Sequence, residues 1–298
     1  MLTTGSPTDV EGWTVVAPVA VVTDSTADLP RDLVESIGLR VVPLSVTFGD
    51  RSYMSGVDLQ PEDFYAKLAS IPRMPTTSQP SPAWFEEAYA DCADDGHRTI
   101  VSVHCSAALS GTVSLARDRA KRADLEVEVL DTGLVGGSLG LAALAAHRTA
   151  ERGGSVAEVI AAAQAVRNRS IGLLVVDTLE HLHRGGRLTG AQKLVGNALK
   201  VKPLLHLTDG RVEVREKTRT WTRAMDRCVE LVAEVADGAP VDVAVVHALA
   251  PERADELYKR LQDRVEVAEH LRALIGPIVG THVGPGAIGV AAMPVRQR

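Results

Sequence analysis

Val19-Ala20-Val21-Val22-Thr23-Asp24-Ser25-Thr26-Ala27-Asp28-Leu29-Pro30 is the stretch on which the fold turns. Its opening residues are a short apolar run that stops in polar turn residues, the pattern of a buried strand in a parallel sheet. Asp24, Ser25 and Thr26 then stand at the strand's carboxyl end, where Asp24 is expected to build the loop rather than touch a ligand. Leu29 to Ile37 reads as a helix closed by Gly38. Outward from this unit the alternation continues. Arg40–Phe48, Thr99–Val103 and Val127–Leu130 read as further strands. Pro61 and Ser81-Pro82 open helices whose apolar faces use Phe64, Tyr65 and Leu68, then Trp84, Phe85, Ala88 and Tyr89. An alanine-rich helix over residues 134–152 ends at Gly153-Gly154, and Ser155 with Glu158 forms a capping box for the next. The alternation predicts an α/β domain, doubly wound around a parallel sheet, over residues 18–168.

From Ile171 the pattern changes. Lys202–Leu207 and Arg211–Glu216, split by Thr208-Asp209-Gly210, read as a β-hairpin. A helix near Thr222–Ala236, a strand at Val241–His247, a helix from Pro251 and two strands around His282 complete a predicted α+β domain over residues 169–298. Residues 1–17 read as a flexible tail. A ligand is expected in the cleft between the two domains.

Composition excludes several classes. The 298 residues carry a net charge of -6, which argues against nucleic acid, whose phosphates need clustered Lys and Arg. Aromatics are 3% of the chain, too few for stacking platforms, while 45% is hydrophobic and mostly aliphatic. Cys92, Cys105 and Cys228 are widely spaced and show no metal-ligand pattern, so neither a structural zinc nor any other metal is expected. No signal peptide is recognisable and no apolar run reaches the ~18 residues of a membrane span. A cytoplasmic protein is expected, without stable membrane insertion, though transient membrane contact stays open.

The chemistry-bearing residues sit in three separate loops. They are Thr76-Thr77-Ser78-Gln79-Pro80-Ser81, Leu109-Ser110-Gly111-Thr112 and Thr281-His282-Val283-Gly284-Pro285-Gly286. The first two run into predicted helices, and exposed amides at helix starts with small hydroxyls beside them receive anionic groups. The third is read as a glycine-rich turn that could present His282 to the same anion. By itself, each hydroxyl is as well explained as a turn or cap residue.

These loops, with Val22–Pro30 and Arg184-Gly185-Gly186-Arg187-Leu188, resemble the motifs of the DegV family, in that family's order, from about residue 19 to the C-terminus. The resemblance implies a bacterial fatty-acid-binding protein. Some members are the substrate-carrying subunit of fatty acid kinase, which feeds phospholipid metabolism. It maps Thr77 and Ser110 onto the pair that binds the fatty-acid carboxylate and brings His282 to the same group, with Ser78, Gly111 and Gly284 as supporting loop residues. A protonated His282 would add a charge-assisted hydrogen bond. Arg187 is implied near the site entrance, and Arg219 facing a dihydroxyacetone-kinase-like, ATP-binding subunit. No cofactor beyond the bound long-chain fatty acid is implied, and no catalytic residue of the chain's own.

Rival readings remain. Gly136-Gly137-Ser138-Leu139-Gly140 matches a nucleophile elbow in letters, but the preceding strand is predicted to end near Asp131, so the small residues read as close helix packing. Ser110 with His282 and an aspartate could imitate a hydrolase triad. No phosphate-binding Gly-Lys loop supports a stand-alone kinase. A fatty-acid buffer or transporter without a kinase partner is the main alternative.

Overall fold

The computed structural model describes residues 17–71, 73–189 and 201–295, so the predicted N-terminal tail lies outside the described residues except for Ala17. The first half runs β1 (Val19–Asp24), α1 (Arg31–Ile37), β2 (Arg40–Val42), β3 (Ser45–Phe48), β4 (Arg51–Met54) and α2 (Pro61–Ala69). It continues with β5 (Thr76–Ser78), α3 (Pro82–Asp94), β6 (Thr99–His104), α4 (Thr112–Ala120), β7 (Glu126–Asp131), α5 (Gly137–Glu151) and α6 (Val156–Arg169). The second half holds β8 (Ile171–Val175), α7 (Glu180–Arg184), β9 (Lys202–Thr208), β10 (Arg211–Thr218) and α8 (Trp221–Ala236). β11 (Val241–His247), α9 (Pro251–Gln262), β12 (Val267–Leu274), α10 (Pro277–Val283) and β13 (Ile288–Pro294) follow.

The parallel sheet is there, in the order β2-β1-β6-β7. Every residue of β1 is buried, as its unbroken apolar run requires. The second half forms a six-stranded sheet, β10-β9-β8-β13-β11-β12, antiparallel except for the β11–β12 pair. In the β9–β10 hairpin both Asp209 (φ 48°) and Gly210 (φ 74°) are left-handed, the geometry of a tight primed turn. Ser106 Oγ donates to Gly210 O at 2.7 Å and ties that hairpin to the parallel-sheet half.

Two predicted elements are corrected. Arg40–Phe48 is not one strand. Pro43 has no N–H to continue the ladder on β1, so the chain leaves that sheet and Leu44 N donates to Ser25 Oγ at 3.0 Å. The remainder, β3, joins an unpredicted antiparallel sheet β4-β3-β5. Likewise, Thr76–Ser78 is a strand rather than a turn, and Thr77 pairs with Val46 of β3.

α5 explains how the halves share a core. It is buried on nearly all sides, packing with Val101 and Val103 of the parallel sheet and with Ala244 and Ala291 of the larger one. Only small residues fit so tightly: a Cβ on Gly140 would lie 2.7 Å from Ala27 O. The glycines that imitate a nucleophile elbow are packing residues.

Candidate functional site

A cavity of about 920 Å³, mouth included, opens between the halves. Thr26, Leu44, Thr77, Cys105, Ser110 and Val135 line it from the first half, and Leu174, Leu182, Arg187, Val212, Val279 and His282 from the second. Ser78, Gln79 and Gly111 are exposed at its rim. The size is that of a small-molecule site. Thr77, Ser110, His282, Arg187, Ser78 and Gly111 thus come together from separate parts of the sequence.

His282 is not on a turn. It lies in the last turn of α10, which Pro277 opens at the first helical position and Gly284 closes. The signal for this helix is Gly276-Pro277, which the strand-like Ile278-Val279 beside it obscures. Gly284 (φ 72°) passes so close to His181 of α7 that a Cβ would meet its ring at 2.6 Å, so this position excludes every side chain. His282 Nε2 lies 2.9 Å from Thr77 Oγ1, joining α10 to β5 across the site. Its Nδ1 is buried without a partner.

Burial, the nearby Arg187 charge and the His181 ring push the pKa of His282 down to about 4. The imidazole is therefore neutral near pH 7 without ligand, contrary to the protonated form expected from sequence. The positive charge at this end belongs to Arg187. Its Nε donates to Leu109 O at 3.2 Å and its Nη1 to Gly185 O at 2.6 Å. The guanidinium thereby braces the Ser110 loop against the Gly185-Gly186 turn, with N–H donors left over. Among the described residues it has no carboxylate partner.

Ser110 Oγ lies 2.8 Å from Thr112 Oγ1 and accepts weakly from Thr112 N at 3.4 Å, at the start of α4. No side chain caps α4, whose N-cap is Gly111. Gly111 accommodates Gln79, since a Cβ there would strike Gln79 Oε1. Gln79 and His181 are site residues the sequence reading missed: Gln79 lies inside a quoted motif, but His181 carries no local signal.

A second space of about 540 Å³, its open part included, adjoins the first and shares Val135, Leu174, Val212 and Val279 with it. Leu173, Leu205, Val246, Ile275, Val290 and Ala291 line it, together with glycines 136, 137, 172 and 289 and, from β9, His206. Most of this wall is aliphatic. Asp28 and Ser138 are the polar residues from the first half of the chain that reach it.

Other expected residues lie elsewhere. Arg219 is exposed at the bend after β10; from cavity-lining Val212 the strand carries the chain roughly 20 Å to reach it. It is not at the cavity mouth. Asp24 builds its loop as expected, accepting from Thr26 N, Thr26 Oγ1 and Cys105 N. It also meets His104 Nδ1 at 3.0 Å, and His104 Nε2 lies 2.6 Å from Ser102 Oγ. This triad-like chain is fully buried and reaches no cavity wall through its serine. Ser110 and His282 are each bonded to other residues, and Ser138 packs against Gly172. Burial holds the Cys105 thiol well above its ordinary pKa. Among the described residues no cluster of His, Cys, Asp or Glu could hold a metal, and no helix is long and apolar enough to cross a membrane.

Comparison with known proteins gives a consistent assignment. The family model described as "Uncharacterised protein, DegV family" matches residues 18–295. A DegV domain-containing protein of Streptomyces coelicolor is 46% identical over 273 residues, covering 91% of this chain and 97% of its own. The structure of a DegV family protein from Thermus thermophilus, described by its fatty acid binding, superposes with a TM-score of 0.87 at 32% identity, covering 93% of this chain and all (100%) of that one. DegV of Bacillus subtilis, described as a fatty acid binding protein, gives 0.84 at 32% identity, covering 94% and 100%.

Proposed function

This chain belongs to the DegV family, and from that premise we propose that it binds one long-chain fatty acid, carboxylate toward Thr77, Ser110, His282 and Arg187, acyl tail in the aliphatic tunnel. One observation carries the reading: an arginine without a carboxylate partner and a neutral histidine face the wide end of a cavity that turns aliphatic inward. A buried carboxylate is costly without such donors. Thr77 and Ser110 supply hydroxyls, α4 its uncapped amides, and Arg187 the compensating charge. A carboxylate beside His282 would also favour imidazole protonation. Tail burial supplies the affinity: about 15 methylenes at ~0.8 kcal/mol each is roughly 12 kcal/mol of gross driving force.

The chain acts as a carrier in this proposal. It shields the tail and presents the carboxylate to a separate dihydroxyacetone-kinase-like, ATP-binding subunit, which converts it to an acyl phosphate. In this reading Arg187, beside the carboxylate, would also offer its charge to the transferred phosphoryl group. Arg219, away from the mouth, would serve only as a docking charge. The ligand test is mass spectrometry of lipid extracted from purified protein, where one long-chain fatty acid per chain is expected. An empty protein that takes up no fatty acid after delipidation refutes the binding reading. The partner test is reconstitution with such a kinase subunit and ATP. Acyl phosphate is expected, and its absence leaves a fatty-acid buffer.

A further inference from the structure

We infer that the tail tunnel carries a hydrogen-bonding station, formed by the Asp28 carboxyl and the uncapped first turn of α5, which receives an oxygen atom on the acyl chain and so favours chains hydroxylated away from the carboxylate. The inference rests on the fatty-acid reading and adds a ligand class to it.

The Asp28 residue is only 6% exposed. Its Oδ1 accepts from Gly276 N at 2.9 Å, while its Oδ2 is buried without any partner among the described residues. That free oxygen points toward the tunnel wall, for a Cβ built on Gly136 would lie 3.6 Å from it, and Asp28, Gly136, Gly137 and Ser138 all line the tunnel. Gly136 is also the N-cap of α5, a 15-residue helix with no side-chain cap. Its own N–H is already taken by Thr26 O at 2.8 Å. The first amides of such a helix are donors in search of an acceptor. At one place in a mostly aliphatic bore, whose other titratable lining group is His206, there stand a free carboxyl oxygen and a helix start that no side chain satisfies.

A plain hydrocarbon makes no use of either. It leaves both groups desolvated and unpaired, which is costly, and an apolar residue at position 28 would pack against methylenes better. A hydroxyl on the chain answers both at once, since its oxygen accepts from an α5 amide and it shares a hydrogen bond with Oδ2, accepting the carboxyl's proton or, when the carboxyl is ionised, donating its own. The carboxyl also suits hydrocarbon neighbours between visits. Burial, aided by the charge of Asp24 and opposed by the Gly276 N–H, pushes its pKa up to about 8, so near pH 7 it is mostly a neutral acid with a proton of its own to donate. Of the other titratable groups close by, Tyr65 is committed through its hydroxyl to Ile275 O at 3.0 Å, and His206, which lines the same space, has its Nε2 3.2 Å from Thr208 Oγ1.

The test uses the full-length, delipidated protein with stearic acid and a panel of hydroxystearic acids whose hydroxyl moves along the chain. The readout is the affinity of each isomer relative to stearic acid, in wild type, Asp28→Asn and Asp28→Leu. At least one isomer should match or exceed stearic acid in wild type. Its relative affinity should fall about tenfold in Asp28→Leu, the worth of one neutral hydrogen bond. Asp28→Asn, which keeps an acceptor for Gly276 N and gains an amide donor, should recover most of it. Infrared difference spectra of wild type should show the protonated carboxyl band shifting with that isomer and not with stearic acid, a readout that holds even if Asp28→Leu does not fold. If stearic acid binds but every isomer is penalised alike in wild type and Asp28→Asn, with no band shift, a water or nothing fills the station and the inference is overturned. If stearic acid itself does not bind, the fatty-acid reading fails and this inference with it.

Discussion

The head and tail regions of the cavity each bury an ionisable group in its neutral form, but with opposite consequences. At the head, the base His282 is neutral because burial, the Arg187 charge and the His181 ring push it down to about 4. At the tail, the acid Asp28 is neutral because burial pushes it up to about 8 and no cation offsets this among its influences. The head keeps a net positive charge through Arg187, so an incoming anion relieves it. The tail keeps no charge, so hydrocarbon can enter. Burial alone does not set a ligand's polarity. The sign of the nearest fixed charge does, and in the proposed complex it would orient the lipid, carboxylate toward Arg187 and tail toward Asp28.

The strongest blow to this comparison is to separate its two ends. Val279 lines both spaces, and Val279→Trp should plug the junction. Denying burial to about four methylenes, at ~0.8 kcal/mol each, should weaken long-chain binding on the order of 100-fold. Shorter chains should be affected less, as titration of a chain-length series would show. Unchanged long-chain affinity would mean that the tail takes another path.

Removing the head's charge comes next. Arg187→Ala should weaken fatty-acid binding by about 2 kcal/mol, the range of hydrogen bonds to charged groups, and should bring the affinity of a fatty alcohol of equal length nearer to that of the acid. Equal losses for acid and alcohol would show that Arg187 only braces the loops. Thr77→Val and Ser110→Ala should each cost less, about 1.5 kcal/mol, with the fold retained. Ser110 is the more exposed claim, because its hydroxyl already has Thr112 as a local partner.

The smallest effect is on stability and has opposite signs at the two ends. For His282, lowered in the folded state, the unfolded chain binds the extra proton between pH ~6.5 and ~4. Its contribution is thus present above pH ~6.5 and is lost as pH falls through about 4. For Asp28, raised in the folded state, the folded chain holds the extra proton. Its contribution is fully present below pH ~3.8 and is lost as pH rises through about 8. Urea midpoints of the empty protein across this range should therefore lose their acid-side fall in His282→Gln and their alkaline-side fall in Asp28→Asn. The same profile in all three proteins would remove the comparison's electrostatic basis.

How much could be read beforehand follows the range of the interactions. β1 was readable because a strand buried on both faces announces itself as an apolar run, and the Ser155–Glu158 box because its partners are three residues apart. The three-stranded sheet was not, since Ser45 of β3 pairs with the distant Ser78 and the strands are too short for a period. The hydroxyl and imidazole loops were recognisable as motifs. Their meeting at Thr77 and His282 depends on α10, which β-branched residues disguise as a strand. The tunnel walls left no local trace. Gly136, Gly172 and Gly289 come from different elements, and the side chains each faces, Asp28, Ser138 and Val246, reach it only in the assembled fold.

A crystal structure of the protein loaded with stearic acid tests the central claim most directly. A carboxylate is expected within hydrogen-bonding distance of Thr77 Oγ1, His282 Nε2 and the Ser110 hydroxyl, with Arg187 alongside and the chain running past Val279 toward Asp28. A carboxylate placed at Asp28 with the methyl end at His282, or a chain lying outside this cavity, would contradict it.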